Sequence, residues 1–337
     1  MSDLKIFSAG DVTLQSGGSL AGAYLAYKTY GQLNAARDNA VLLPTYFMGT
    51  HAENEWLIGD DLPVSPRRYF IIVPNMLGNG ISSSPSNTPA ASAGPAFPLV
   101  THYDNVRLQH RLITEQLGVR RLALVLGCSM GGQQAYHWGA LYPQMVDRIA
   151  CICGSAKTSR HNFVFLEGPK AALFAAEDFR NGLYEAPPAK GLRAFARVWA
   201  GWAWSQAFYR EKLDQRLTGT STLDAFITSG MEAVVRSKDA NDLLAMLATW
   251  QACDISDNPV FSGDFARALS AITARALVMP SMTDLYFPPE DNEYEVAHMP
   301  NAELRVIPSI WGHTAGLGLN PDDSKFICEA LADLLAS

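Results

Sequence analysis

With 337 residues, 48% of them hydrophobic and 18% charged, the chain can bury a large core and is not a disordered polymer. Its length exceeds the usual single domain but suits one α/β core carrying an inserted subdomain. A net charge of -7, offset by neither a basic stripe nor a basic tail, argues against nucleic acid and anionic membranes as partners.

The opening Met1-Ser2-Asp3-Leu4-Lys5 has no charged-then-apolar leader architecture, and no apolar run approaches the roughly 20 residues that span a bilayer. A soluble, cytoplasmic protein is expected. Residues 20–30 read as a strand of an opening meander ended by Gly31, and residues 40–43 as a short apolar strand closed by Pro44. Residues 69–73 are a continuous β-type run ending at Pro74-Asn75. Neither of the last two runs alternates with polar residues, which fits strands buried on both faces in a helix-covered parallel sheet. The Ala/Ser/Pro-rich stretch 82–98 is a loop long enough to shape a site.

Residues 103–117 place Val106, Leu108, Leu112, Ile113 and Leu117 at helical spacing and stop at Gly118. Residues 122–126 form another apolar strand, and 133–141 are good helix formers that stop at Tyr142-Pro143. This strand–helix rhythm predicts right-handed crossovers in a mostly parallel, doubly wound sheet of the α/β class. It breaks over 157–268, a helical stretch rich in large aromatics that reads as a cap inserted into a core made of 1–156 and 269–337. There Phe195, Trp199 and Trp202 share one helix face. Such a stripe usually means packing of cap on core; lining of an acyl pocket or a dimer surface is the sharper alternative. The rhythm resumes with strands at 276–279 and 303–307 and helices at 289–298 and 324–335. Cys128, Cys151, Cys153, Cys253 and Cys328 form no even framework and no CxxC pair, so reduced core thiols are expected.

The chemistry concentrates at Gly127-Cys128-Ser129-Met130-Gly131, a G-x-S-x-G between strand and helix. Small neighbours let the chain turn sharply enough to lift the serine Oγ clear of the sheet. The Met130 N–H is left at the helix start, aimed at a developing oxyanion. Serine is a poor nucleophile until a histidine takes its proton and a carboxylate holds that histidine's tautomer. His313 follows the 303–307 strand and is the expected base; His298, on a helix end, is the only other late histidine. Asp284 follows the 276–279 strand and is the expected third member, since Glu290 falls at a helix start where a carboxylate has an ordinary dipole role. The second oxyanion donor is expected in the loop after residues 40–43, at Phe47 with Tyr46 as competitor. His51, His102, His110, His137 and His161 show no metal-ligand spacing and read as structural or surface, with His51 alone close enough in sequence to that loop to reach a site. No cofactor or metal is implied, because the three side chains supply both nucleophile and proton shuttle.

Taken together, Leu25-Ala26-Tyr27-Lys28-Thr29-Tyr30-Gly31-Gln32-Leu33-Asn34, Tyr69-Phe70-Ile71-Ile72-Val73-Pro74-Asn75-Met76-Leu77-Gly78, Gly127-Cys128-Ser129-Met130-Gly131-Gly132 and Gly312-His313 resemble the homoserine O-acetyltransferase family of α/β-hydrolase-fold enzymes. The resemblance implies the α/β-hydrolase fold with a helical cap, Ser129, Asp284 and His313 as the triad, Phe47 and Met130 as oxyanion donors, and a homodimer. It weakens in the cap. Members that acetylate homoserine carry an aspartate directly after the catalytic histidine to pair with the substrate ammonium; here Thr314 stands there. The family's Arg-Met run and Gly-His-Ile-Thr-Tyr segment are also missing from 157–268. Burying either charge of an amino acid unpartnered costs several kcal/mol, which a neutral threonine cannot offset. The expectation is therefore a carboxylesterase acting on a small-molecule, short-chain (acetyl) ester. An acyl-CoA-dependent O-acyltransferase, such as one acting on homoserine, is the alternative, and a non-catalytic binding protein a third reading.

Overall fold

An eight-stranded sheet of order β1-β2-β4-β3-β5-β6-β7-β8 forms the centre of the computed structural model, which describes residues 4–336. β1 (Lys5–Thr13) and β2 (Ser19–Tyr30) pair antiparallel, and β2 pairs antiparallel with β4 (Phe70–Pro74). From β4 onward, β3 (Ala40–Leu42), β5 (Leu122–Cys128), β6 (Arg148–Ile152), β7 (Arg275–Met279) and β8 (Ala302–Leu304) pair in parallel.

Side-chain alternation explains why the central strands carry no polar residues. Val41, Ile71, Leu124 and Leu126 belong to one buried cluster, whereas Leu42, Ile72, Leu122 and Val125 belong to another. Neighbours along a strand point to opposite faces, so both faces of the sheet are covered. The covering helices include α1 (His102–Arg111), opened by a capping box between Thr101 and Asp104, and α2 (Met130–Leu141). α11 (Pro289–Ala297) and α12 (Pro321–Ala336) follow β7 and β8.

Between β6 and β7 the chain is helical. α3 (Arg160–Phe174) and α4 (Ala189–Ala203) come first, then the short α5 (Gln206–Arg210), α6 (Leu213–Thr218), α7 (Leu223–Ile227) and α8 (Ala233–Arg236). α9 (Ala240–Gln251) and α10 (Phe265–Ser270) complete the segment. The aromatic stripe packs as helical spacing dictates: Phe195 and Trp199 stack at 5.4 Å between ring centroids, and Trp202 meets Phe165 at 4.8 Å.

The elements differ from expectation in three places. β1 has no strong apolar alternation and carries two register shifts around Gly10, so its pairing with β2 is a tertiary fact. The helix expected over 103–117 ends as α-helix at Arg111 and continues as one π turn over Leu112–Gln116. The last strand stops at Leu304 rather than reaching 307, and Ile307 makes only an isolated parallel bridge to Ser281. Four cysteines are buried and Cys328 half-buried, all five as free thiols. Among the described residues, no helix is long and apolar enough to cross a membrane.

Candidate active site

Ser129 occupies the turn from β5 into α2 with φ 54° and ψ -124°, a backbone region that costs a non-glycine residue on the order of 1–3 kcal/mol. The glycines around it permit that turn. A Cβ on Gly127 would lie 2.0 Å from the Gly131 carbonyl carbon, and one on Gly131 would lie 2.6 Å from the Pro44 oxygen. Both obstacles are backbone, so neither can yield. The Ser129 N–H is anchored by donating to the Ile152 carbonyl at 2.9 Å.

His313 and Asp284 arrive on the loops after β8 and β7. His313 Nε2 lies 3.0 Å from Ser129 Oγ, and His313 Nδ1 lies 2.8 Å from Asp284 Oδ2. The other oxygen, Oδ1, accepts from the Tyr286 and Phe287 N–H groups at 2.8 and 3.2 Å. With the carboxylate acting as acceptor, Nδ1 carries the proton and Nε2 is the acceptor facing the serine hydroxyl. Ser129, Asp284 and His313 are only 3%, 4% and 6% exposed, so these bonds compete little with water. Thr283 ties the two loops together: its Oγ1 donates to the Ser309 carbonyl at 2.9 Å and accepts from the Gly312 N–H at 3.1 Å.

Phe47 lies in the loop after β3, with its ring stacked on Trp199 at 4.6 Å. Met48 beside it takes φ 62°, a second strained non-glycine position. Neither the Phe47 N–H nor the Met130 N–H donates to a backbone carbonyl outside the helices and strands, among the described residues. Both side chains are buried, and Phe47 and Tyr46 line the pocket beside Ser129.

Several other candidates lie elsewhere. His51 opens a 3-10 turn, sets its ring 3.3 Å from Asn75 and lines neither cavity at the site. Glu290 is exposed in the first turn of α11, and His298 bonds the Tyr294 carbonyl at 2.8 Å. His102 and His137 are buried neighbours whose desolvation pushes their pKa values down to about 3 and about 4, so both are neutral. Residues 82–98 line neither of the cavities next to Ser129, contrary to the expectation for a loop of that length. Among the described residues, no three His, Cys, Asp or Glu side chains gather as metal ligands would.

Two adjoining cavities lie at the site, sharing Phe47, Met48, Met231 and Thr314 among their walls. An inner pocket of about 80 Å³ contains Ser129 and His313 and is walled by Phe47, Trp199, Trp250 and Tyr286. It adjoins a chamber of about 570 Å³ lined by side chains such as Trp56, Trp204, Leu217, Phe226, Val234 and Leu319. Sequence reasoning missed Met48, Thr283 and the chamber's Met231. Thr283 adjoins Asp284 but no local pattern marks it, and Met231 lies in a π turn (Thr228–Glu232) with no compositional sign. Of the stripe left open between packing and pocket lining, Trp199 does both, and Trp204 beyond it lines the chamber.

A sequence profile described as the alpha/beta hydrolase fold matches residues 41–317. An ethyl acetate hydrolase of Pseudomonas veronii is 38% identical over 339 residues, covering 99% of this chain and 95% of that protein. A homoserine O-acetyltransferase of Trichormus variabilis is 32% identical, covering 90% of this chain and 87% of that protein. Among solved structures, the acetyl esterase MekB superposes with a TM-score of 0.96 at 37% identity, covering 100% of this chain and 97% of that one.

Proposed function

The chain belongs to the α/β-hydrolase fold family, with relatives among both acetyl esterases and homoserine O-acetyltransferases, and from that premise we propose that it hydrolyses short-chain, acetyl, carboxylic esters. Ser129 Oγ attacks the ester carbonyl as His313 Nε2 takes its proton, and Asp284 stabilises the imidazolium. The N–H groups of Phe47 and Met130 hold the oxyanion, with Tyr46 as the competing donor in the first loop. His313 then protonates the departing alkoxide, leaving acetyl on Ser129. A water molecule gives its proton to His313 and attacks the acetyl carbon; the bond from that carbon to Ser129 Oγ then breaks, His313 returns the proton to Oγ, and acetate leaves. In this reading the helical stretch 157–268 is a cap that walls the site.

The observation that carries the proposal is the hydrogen-bonded run Asp284–His313–Ser129 beside a chiefly apolar chamber, with the neutral Thr314 directly after the histidine. Thr314 lines both cavities; its hydroxyl donates to the Trp311 carbonyl at 2.8 Å and carries no charge to pair with an ammonium. The chamber's acidic residue, Glu53, is exposed and caps its own helical turn through Thr50, and its basic residue, Lys238, is only half-buried, so neither is a buried partner for an acceptor's charge. Holding an amino acid there would leave a buried charge poorly compensated, at a cost of several kcal/mol.

Mixing the protein with ethyl acetate, and separately with acetyl-CoA with and without homoserine, tests the proposal. Acetate release from the ester is expected, with no homoserine-dependent release of CoA. CoA release that depends strictly on homoserine, beside negligible ester turnover, would instead establish an acyltransferase.

A further inference from the structure

Resting on the ester-hydrolase reading above, we infer that the alcohol half of the substrate is a long or bulky neutral apolar group. It occupies the chamber of about 570 Å³, while the acyl group is confined to the inner pocket of about 80 Å³.

Size sets the first constraint. The inner pocket is a few times the roughly 30 Å³ that a water molecule takes in the liquid, enough for the methyl or ethyl tail of a small acyl group. Its aromatic walls brace one another: Phe47 on Trp199 at 4.6 Å, Trp250 on Tyr286 at 5.5 Å, and Tyr286 on His313 at 4.7 Å. Packed rings of this kind cannot swing aside for a longer chain without overpacking the core. The outer chamber has the volume of a drug-sized ligand site, about 300–1,000 Å³.

The order of product release decides which half of the ester goes where. Acylation forms the bond from Ser129 Oγ to the carbonyl carbon and breaks the bond to the alkoxy oxygen, which leaves as the alcohol with the proton from His313. Water must then reach the same carbon. Ser129, Trp199, Ala203, Trp250, Tyr286 and His313, the inner walls not shared with the chamber, are each less than a tenth exposed, so the pocket drains through the chamber. An alcohol released into the inner pocket would be trapped behind an acyl chain filling the chamber. An alcohol released into the chamber leaves by the route that admits water, while the acyl group stays parked inside. The chamber's walls then choose the alcohol. They are chiefly apolar: the hydroxyls of Thr218, Ser237 and Thr314 each donate to a backbone carbonyl, and of the charged residues Glu53 is exposed and Lys238 half-buried, so burial of hydrocarbon supplies most of the affinity.

Kinetics on two ester series separates the halves. Alkyl acetates from ethyl to octyl lengthen the alcohol, and ethyl alkanoates from acetate to octanoate lengthen the acyl group. kcat/KM is expected to rise roughly twofold per methylene along the acetates, half of what complete burial of each methylene would give. It is expected to fall by about 100-fold or more from ethyl acetate to ethyl octanoate. Gly230→Trp locates the effect, because Gly230 lines the chamber and a Cβ there meets nothing within 4 Å. The variant should lose at least about tenfold more kcat/KM on octyl acetate than on ethyl acetate. Val234→Trp, at a chamber position 47% exposed, serves if Gly230→Trp does not fold. Ethyl octanoate turned over as well as octyl acetate would overturn the assignment of halves, as would acetate turnover that declines beyond ethyl. Failure on every ester, ethyl acetate included, would instead overturn the hydrolase reading and this inference with it.

Discussion

Asp284 distributes its two oxygens between different tasks, and that division makes a single amide substitution informative. Oδ1 receives two backbone N–H groups, from Tyr286 and Phe287, and Oδ2 faces His313 Nδ1. In Asp284→Asn the amide oxygen would stay with the two N–H donors, turning the NH₂ towards the imidazole. His313 would then have to accept at Nδ1 and carry its proton on Nε2, where it cannot take one from Ser129. Ester turnover should fall by about 10⁴-fold while the thermal midpoint changes little, since the backbone contacts survive. Near-normal turnover would move the acid role to another carboxylate. At this scale the sequence was informative, because a nucleophile turn needs glycine where Gly127 and Gly131 meet backbone, and that requirement is local. Thr283 and the strained Met48 were invisible, because their roles depend on partners or backbone angles that only the assembled loops provide.

The helix α11 carries a buried carboxylate outside the site, and its consequence is felt by the whole element. Glu295 is 3% exposed and accepts from the Ala156 N–H at 2.7 Å, just where the chain leaves β6 for the helical segment, and from Asn292 at 2.8 Å. Burial pushes its pKa up from 4.5 to about 7, with the hydrogen bonds from Asn292 and Ala156 opposing that rise and no cation among the influences on it. The folded chain therefore holds this proton more tightly than the unfolded one. Its contribution to stability is fullest below pH 4.5 and is lost as pH rises towards about 7, at about 1.4 kcal/mol per pH unit while it titrates. Glu295→Gln keeps an acceptor for the Ala156 N–H but sets its NH₂ against the Asn292 NH₂, so it removes the titration at the loss of one hydrogen bond. Relative to the parent, the variant should gain stability between pH 5 and 7.5 in urea titrations; a difference independent of pH would show that the carboxyl does not titrate in that window. The position of α11 was legible from Pro289 and the helical run after it, but the burial of Glu295 was not. A glutamate in a helix reads as solvent-facing until the packing of α2 and β6 around it is known. β1 and β8 were hard to read for a related reason: edge strands bury little, so bulges and short bridges set their limits rather than hydrophobic pattern.

Across the whole molecule, His313 is held from two sides, by the sheet and by the helical stretch between β6 and β7. Gly312, directly before His313, sits at φ 64°, where a Cβ would lie 2.7 Å from the Ser205 nitrogen and 3.0 Å from the Trp204 carbonyl carbon. Ser205 in turn caps α5 by accepting from the Phe208 N–H at 3.0 Å and donates to the Ile310 carbonyl in the histidine loop. The α4–α5 junction thus presses directly on the loop that carries the base, and Trp204 from that junction lines the chamber. None of this could be read from the sequence, since residues more than a hundred positions apart must meet before the glycine has a reason. Gly312→Ala should therefore cost on two counts. The left-handed backbone alone disfavours alanine by roughly 1–2 kcal/mol, and relief of the backbone clash must push the helical segment away from the sheet. The thermal midpoint and ester turnover are expected to fall together, with turnover down at least about tenfold because a shift of around 1 Å at the base misaligns it with Ser129. A lowered midpoint with undiminished turnover would mean that the helical segment stabilises the fold without positioning His313.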